Sequence, residues 1–287
     1  MHDRPVFPAA APTRRIAWLG DSEGEELALA RAWAGELADV VDGEDAAESA
    51  GSAPTLAVLA SARPGRWTLP EAVAVTRRWP LAALVSVGTS LAEGRRRSGP
   101  SLPGVEDVAW NDLPGRLAWW LAELAAGRPG TLGMPTTARR EEKLLESAAR
   151  VRAGIRAAVP AFPVSIAAAS KVDLDGVADL VAATGLPIAH RTRGRPPLDE
   201  TADILLWDVG VLGTLELAWL RMLSANRPQL GIVILESFPR GHTARAALRA
   251  GAAAVLGRPV GIEALAGTLL RLKNTPASAI GPAGHGG

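Results

Sequence analysis

The chain has 287 residues, 48% of them hydrophobic and 21% charged, with a formal net charge of +1; that is a globular protein of about two domains and excludes a disordered chain. So small a net charge supplies no global field for nucleic acid or an anionic membrane. Cysteine is absent and histidine occurs four times, which excludes disulfides, thiolate metal sites and cysteine nucleophiles and leaves little for a zinc site.

Residues 1–13 have no apolar core of the secretory type and read as a disordered lead. Elements then alternate. A strand is expected at 16–19 (IAWL), a helix at 25–37, and a strand at 55–59 (TLAVL) ending near Ser61. A helix follows at 69–78, strands at 81–87 (LAALVSV) and 105–110, and a helix at 114–125 with proline at its start, where proline is tolerated. Between Gly127 and Pro160 the chain is first broken by glycine and proline. It then carries a helix from about 138 to 159 that Thr137 is placed to cap. That helix has an apolar stripe of Leu144, Ala148, Val151 and Ile155 and reads as a packed linker.

The second half repeats the alternation. A first strand is expected at 164–170 (VSIAAAS), a strand-like run LPIAH ends at His190, and 202–207 (ADILLW) closes on Asp208. Helix 215–223, strand 231–235 (GIVIL), helix 242–250, strand 252–256 (AAAVL) and helix 262–272 complete it. Alternating strands and helices are the signature of parallel sheets with crossover helices. No run crosses a membrane: charges such as Asp208 and Glu216, or Pro160 and Pro163, interrupt every long apolar stretch. Residues 274–287 read as a disordered tail.

The halves superimpose at a single offset. Ser61 falls on Asp208, Thr89 on Glu236, Gly104 on Gly251 and Asn111 on Arg258, each pair separated by 147 positions. A duplicated domain follows: 14–128 and 161–273, with 129–160 as a linker containing a helix.

Residues 251–259, GAAAVLGRP, resemble the last-strand motif G-A-D-D-Y-L-x-K-P of two-component receiver domains, and 104–112, GVEDVAWND, resemble the same motif with its end altered. The run ILLWD resembles the third strand of that family, with Asp208 at the place of its phospho-acceptor. The resemblance implies a tandem α/β fold of two flavodoxin-like doubly wound parallel sheets, strand order 2-1-3-4-5, joined by a helix. It also implies sites at the carboxyl ends of the strands.

The family's phosphoryl chemistry needs acids on the first strand for Mg²⁺, an acceptor, a hydroxyl and a lysine. In the second repeat Asp208 stands at the acceptor, Glu236 with Ser237 beside it at the hydroxyl, and Arg258 at the lysine, while 164–170 carries no acid. Arg258 is placed to pair with Asp208 or Glu236. In the first repeat the corresponding positions are Asp21, Ser61, Thr89 and Asn111. The aromatic of the last strand is Val108 in one repeat and Val255 in the other. Both repeats therefore resemble degenerate receivers, and no metal or cofactor is expected.

Other features take bland readings. The loop 20–24 (GDSEG) carries acids that repel phosphate. Arg95, Arg96 and Arg97, and Arg191, Arg193 and Arg195, read as solvated loop charge. Adjacent helical positions point about 100° apart, so one of Trp119 and Trp120 can be core while the other is exposed; core packing is the reading taken for the tryptophans, with an exposed contact residue as the alternative. Ser237 with His242 lacks an orienting acid for nucleophilic catalysis.

The expected function is a non-enzymatic, cytoplasmic signalling or scaffold protein acting through protein–protein contacts, with a kinase or other signalling protein, or a second copy, as partner. In the resembled family the contact face uses the segments matching 242–250, 252–256 and 262–272. The alternatives are a phospho-accepting response regulator using Asp208, and a small-molecule-binding two-domain α/β protein or enzyme.

Overall fold

The computed structural model describes residues 14–43, 45, 53–92, 102–128, 130–135, 137–158 and 162–274. They form two compact units, divided between Glu146 and Ser147.

In the first unit β1 (Arg15–Gly20), β2 (Asp39–Asp42), β3 (Leu56–Ser61), β4 (Ala83–Gly88) and β5 (Val105–Ala109) make one sheet in the order β2-β1-β3-β4-β5. Its helices are α1 (Glu25–Leu37), α2 (Leu69–Arg78) and α3 (Leu113–Ala125). Every strand pair is parallel. The central strand β3, LAVLAS, is buried at every position because helices cover both faces of a doubly wound sheet. Helix α2 starts on a capping box, Thr68 and Glu71 bonding reciprocally, with Pro70 in its first turn.

A single helix, α4 (Arg140–Ala158), runs through the division between the units. It starts two residues later than expected. Thr137 does not cap it; instead Glu142 Oε2 accepts the Arg139 amide at 2.8 Å, so the acid at the third helical position satisfies the free N–H at the helix start. Of the expected stripe, Val151 and Ile155 are buried with Ser147, while Leu144 is exposed.

The second unit repeats the architecture. Strands β6 (Val164–Ala168), β7 (Ile188–Arg193), β8 (Ile204–Gly210), β9 (Gly231–Glu236) and β10 (Ala254–Gly257) lie in the order β10-β9-β8-β6-β7, all parallel. Counted within the unit, that is again 2-1-3-4-5, so both units have the expected flavodoxin-like fold. Its helices are α5 (Lys171–Thr184), α6 (Thr214–Asn226), α7 (Gly241–Arg249) and α8 (Ile262–Asn274). Moving α1 forward by the 147-position offset puts it on 172–184, against the observed Lys171–Thr184.

The departures have local causes. Strand β2, DVVD, is a half-buried edge with no apolar run to announce it. The connection from β7 to β8, 194–203, has no helix. Trp119 and Trp120 are both buried, so neither is the exposed contact residue of the alternative reading; the Arg116 guanidinium lies 4.8 Å over the Trp120 ring. Of the segments of the expected contact face, residues 263–270 and 272 of α8 and three of the four residues of β10 are buried, while in α7 only Gly241, Ala244 and Ala247 are. Arg95, Arg96 and Arg97 lie outside the described residues. No helix among the described residues is long and apolar enough to cross a membrane.

Candidate functional site

A parallel doubly wound sheet gathers its strand ends, and the loops after them, along one edge. In the second unit this brings together residues that are far apart in the chain. Asp208 ends the apolar run of β8 and is 2% exposed. Its Oδ1 accepts the Gly210 amide at 3.0 Å and the Arg258 guanidinium at 3.1 Å. Its Oδ2 is buried and has no hydrogen-bond partner.

Arg258 follows β10, where its own amide donates to the Glu236 carbonyl at 2.8 Å. Its second guanidinium nitrogen reaches Asp173 Oδ1 at 2.6 Å. Asp173 sits in the first turn of α5, opposite the N-cap Ser170. The Ser170 hydroxyl donates to Asp173 Oδ2 at 2.6 Å and accepts the Asp173 amide at 3.1 Å. One cation therefore bridges two carboxylates, one from a strand end and one from a helix start. The first strand, β6, carries no acid.

Glu236 ends β9 and is 3% exposed. The Thr243 hydroxyl donates to its Oε2 at 3.2 Å, and the Leu212 amide approaches Oε1 at 3.5 Å. Arg258 therefore takes Asp208 and Asp173 as partners, while Glu236 is held by a hydroxyl from α7. Ser237 donates its amide to the Gly210 carbonyl at 2.7 Å, and no hydrogen bond joins it to His242.

Burial pushes the Asp208 carboxyl above its usual range; Arg258 and the Gly210 amide oppose that, and Asp173 adds to it. Burial likewise raises Glu236. Asp173 moves the other way, lowered first by the Ser170 hydroxyl and then by Arg258. Among the described residues no group of three or more histidine, aspartate or glutamate side chains is arranged to hold a metal ion.

The matching edge of the first unit is pinned by hydrogen bonds. Ala62, just after β3, is gripped at both polar ends: Asp21 Oδ2 accepts its amide at 2.8 Å, and Thr89 donates its hydroxyl to its carbonyl at 2.8 Å. The Ser61 hydroxyl is turned to the Arg63 carbonyl. Asn111 is buried and donates its side-chain amide to Asp112 Oδ1 at 2.9 Å. Asp21, Ser61 and Thr89 thus serve the β3–α2 loop, while Asn111 bonds its neighbour Asp112.

Two features were missed in the sequence. Asp173 has no part in the expected cluster; the spacing Ser170-x-x-Asp173, an N-cap pattern, signals its place in the first turn of α5 but not its reach to Arg258. Glu200 was not singled out. It is buried, and its Oε1 accepts from the Ser165 hydroxyl at 2.9 Å, the Thr201 amide at 2.8 Å and the Ala202 amide at 3.0 Å, and lies 3.0 Å from His190 Nδ1. Burial alone would raise it, but these partners outweigh burial and hold it below its usual range. Its hydroxyl and amide donors mark it as the anchor of the β7–β8 connection.

No family model matches the chain, and no curated protein matches it. Matches exist among solved structures. A pilus assembly-related protein of Burkholderia pseudomallei is 25% identical over 42% of this chain and 91% of its own, with a TM-score of 0.35. A pilus assembly protein of Burkholderia thailandensis is 29% identical over 40% of this chain and 99% of its own, with a TM-score of 0.35. A CheY-like protein of Pseudomonas aeruginosa is 23% identical over 38% of this chain and 98% of its own, with a TM-score of 0.31.

Proposed function

We propose that this chain is a non-catalytic signalling or scaffold protein whose two receiver-like units work by protein–protein contact and without phosphorylation. The observation that carries the reading is the Arg258 bridge. Phosphoryl transfer to a carboxylate depends on an accessible acceptor and on positive charge placed for the incoming group. Here the acceptor-position Asp208 is buried, and the Arg258 guanidinium is already spent on Asp208 and Asp173. Glu236, at the position of the family's hydroxyl, adds a second buried acid where a phosphoryl group would bring more negative charge. In the first unit Ser61, Thr89 and Asp21 are likewise engaged in holding their own loop. The motif resemblance at 251–259 and the site's place at the strand ends support descent from a signalling module whose chemistry has lapsed.

The test is intact mass and peptide mapping after incubation of the folded chain with acetyl phosphate and Mg²⁺, with Asp208→Asn alongside. The expected result is no adduct on either protein. A Mg²⁺-dependent phosphoryl adduct on Asp208, absent from Asp208→Asn, overturns the reading and makes the chain a phospho-accepting response regulator.

A further inference from the structure

The equivalent sheet edges of the two units carry opposite charge. Residues 1–146 hold 20 acids against 16 lysines and arginines, and residues 147–287 hold 10 against 15. The contrast is sharpest around one strand in each unit. Residues 32–62, which include β2, hold six acids and no lysine or arginine. Residues 180–198, which include β7, hold His190, Arg191, Arg193 and Arg195 and no acid. β2 and β7 are each the second strand of their unit, and each ends its sheet, bonded among the described residues to one strand only. Such an edge presents a row of unpaired N–H and C=O groups to another chain. Edges of one sign repel, so β2 against β2 and β7 against β7 are disfavoured, and β2 against β7 is the pairing that charge permits.

We propose that copies of this chain associate edge to edge, β2 of one copy lying antiparallel to β7 of a second, with Asp42 of the first set among Arg191 and Arg193 of the second. Side-chain direction selects the antiparallel sense. Asp42 is exposed and points to the α1 side of its sheet, where it pairs with Arg31 at 2.9 Å. Arg191 points to the α5 side of its sheet, where it pairs with Asp175. Arg193, two positions on, shares that face, is exposed, and has no ion pair among the described residues. The units have one fold, and α5 stands in the second where α1 stands in the first. A half-turn about the sheet normal therefore lays β7 antiparallel to β2 and keeps α5 on the side of α1, so the acid and the two arginines share a face. Parallel pairing would put them on opposite faces. The contact joins unlike edges and is heterologous.

Association of this kind rests on the contact-protein reading and names its partner, and it is measured separately, since an adduct on Asp208 would leave it untouched. The test is light scattering of the full chain after size-exclusion, over a range of concentrations. The expected result at low salt is a mass that rises with concentration above that of one chain, and that falls back as salt is raised. Arg193→Asp and Asp42→Arg are each expected to weaken the association about tenfold or more. Arg193→Asp alters an exposed side chain and should leave the melting temperature unchanged, so it decides the matter even where Asp42→Arg disturbs the Arg31 pair. Mixing the two variants should restore the association, because every contact between unlike copies again joins opposite charges. A monomer at every concentration, an association indifferent to Arg193→Asp, or a mixture of two folded variants no stronger than either alone would each overturn the pairing.

Discussion

Arg258 and Asp208, fifty positions apart in the chain, are joined at 3.1 Å, and the arginine's other nitrogen is held by Asp173 at 2.6 Å. A guanidinium is suited to this because its planar fork can serve two carboxylates at once and cannot be deprotonated in a protein. The arrangement leaves Asp208 buried with one oxygen unsatisfied. It makes the aspartate dependent on its cation.

Removing that cation should therefore do more harm than removing the aspartate. Arg258→Ala strands a buried carboxylate and is expected to destabilise the second unit by about 3 kcal/mol. Asp208→Asn removes the buried charge along with its pairing and is expected to change stability by less than about 1 kcal/mol. The double substitution should recover most of the loss caused by Arg258→Ala. Denaturant unfolding of the four proteins measures this, and equal losses in Arg258→Ala and the double variant would show that the cost lies elsewhere.

Glu236 and Asp173 should give opposite pH signatures. Burial raises Glu236 above its ordinary value of 4.5, so the folded protein binds that proton more tightly than the unfolded chain. Its favourable contribution is fully present below pH 4.5 and is lost as pH rises through the raised value. Glu236→Gln should thus be more stable than the parent at neutral pH, with the difference closing as pH falls toward 4.5. Asp173 is lowered below 3.8, so its contribution is present above that value and lost as pH falls through the lowered one. Asp173→Asn should be less stable than the parent at neutral pH, with the difference closing below pH 3.8. Melting temperatures across this range read both signs.

Gly251 should tolerate no side chain. Its φ is +105°, and a Cβ there would lie 2.1 Å from Ser224 Oγ and 2.3 Å from Ser224 Cβ. Gly251→Ala combines a disfavoured backbone with overlap against α6 and is expected to cost about 2–4 kcal/mol. Adding Ser224→Gly removes the overlap and leaves the backbone strain, so the pair should recover part of the loss. A melting temperature unchanged by Gly251→Ala would contradict the geometry.

The alternating runs made both sheets legible, because buried parallel strands must be apolar on both faces. GIVIL and TLAVL say so directly; the first lies within β9 and the second, but for Thr55, within β3. The edge strands were harder. β2 is half-buried, and β7 reads IAHRTR, so neither shows a continuous apolar run. At the site, the pairing of Arg258 with Asp208 was one of two readings the spacing allowed. The part taken by Asp173 was not legible, since it depends on how far the first turn of α5 reaches toward a loop 85 positions away. Trp119 and Trp120 left the core and contact readings open, because adjacent helical positions normally diverge. Both are nevertheless buried in a unit where a third, Trp110, stacks on Trp33 of α1 at 6.1 Å.

The β7–β8 connection has a kinetic consequence. A crossover helix would protect its own amides through a ladder of internal bonds, each reinforcing the next. The segment 194–203 has no such ladder, so its amides are protected one at a time by whatever acceptor each meets. Glu200 alone meets those of Thr201 and Ala202. Exchange of these two amides should therefore follow the strength of that carboxylate's hold, and not the stability of the unit as a whole.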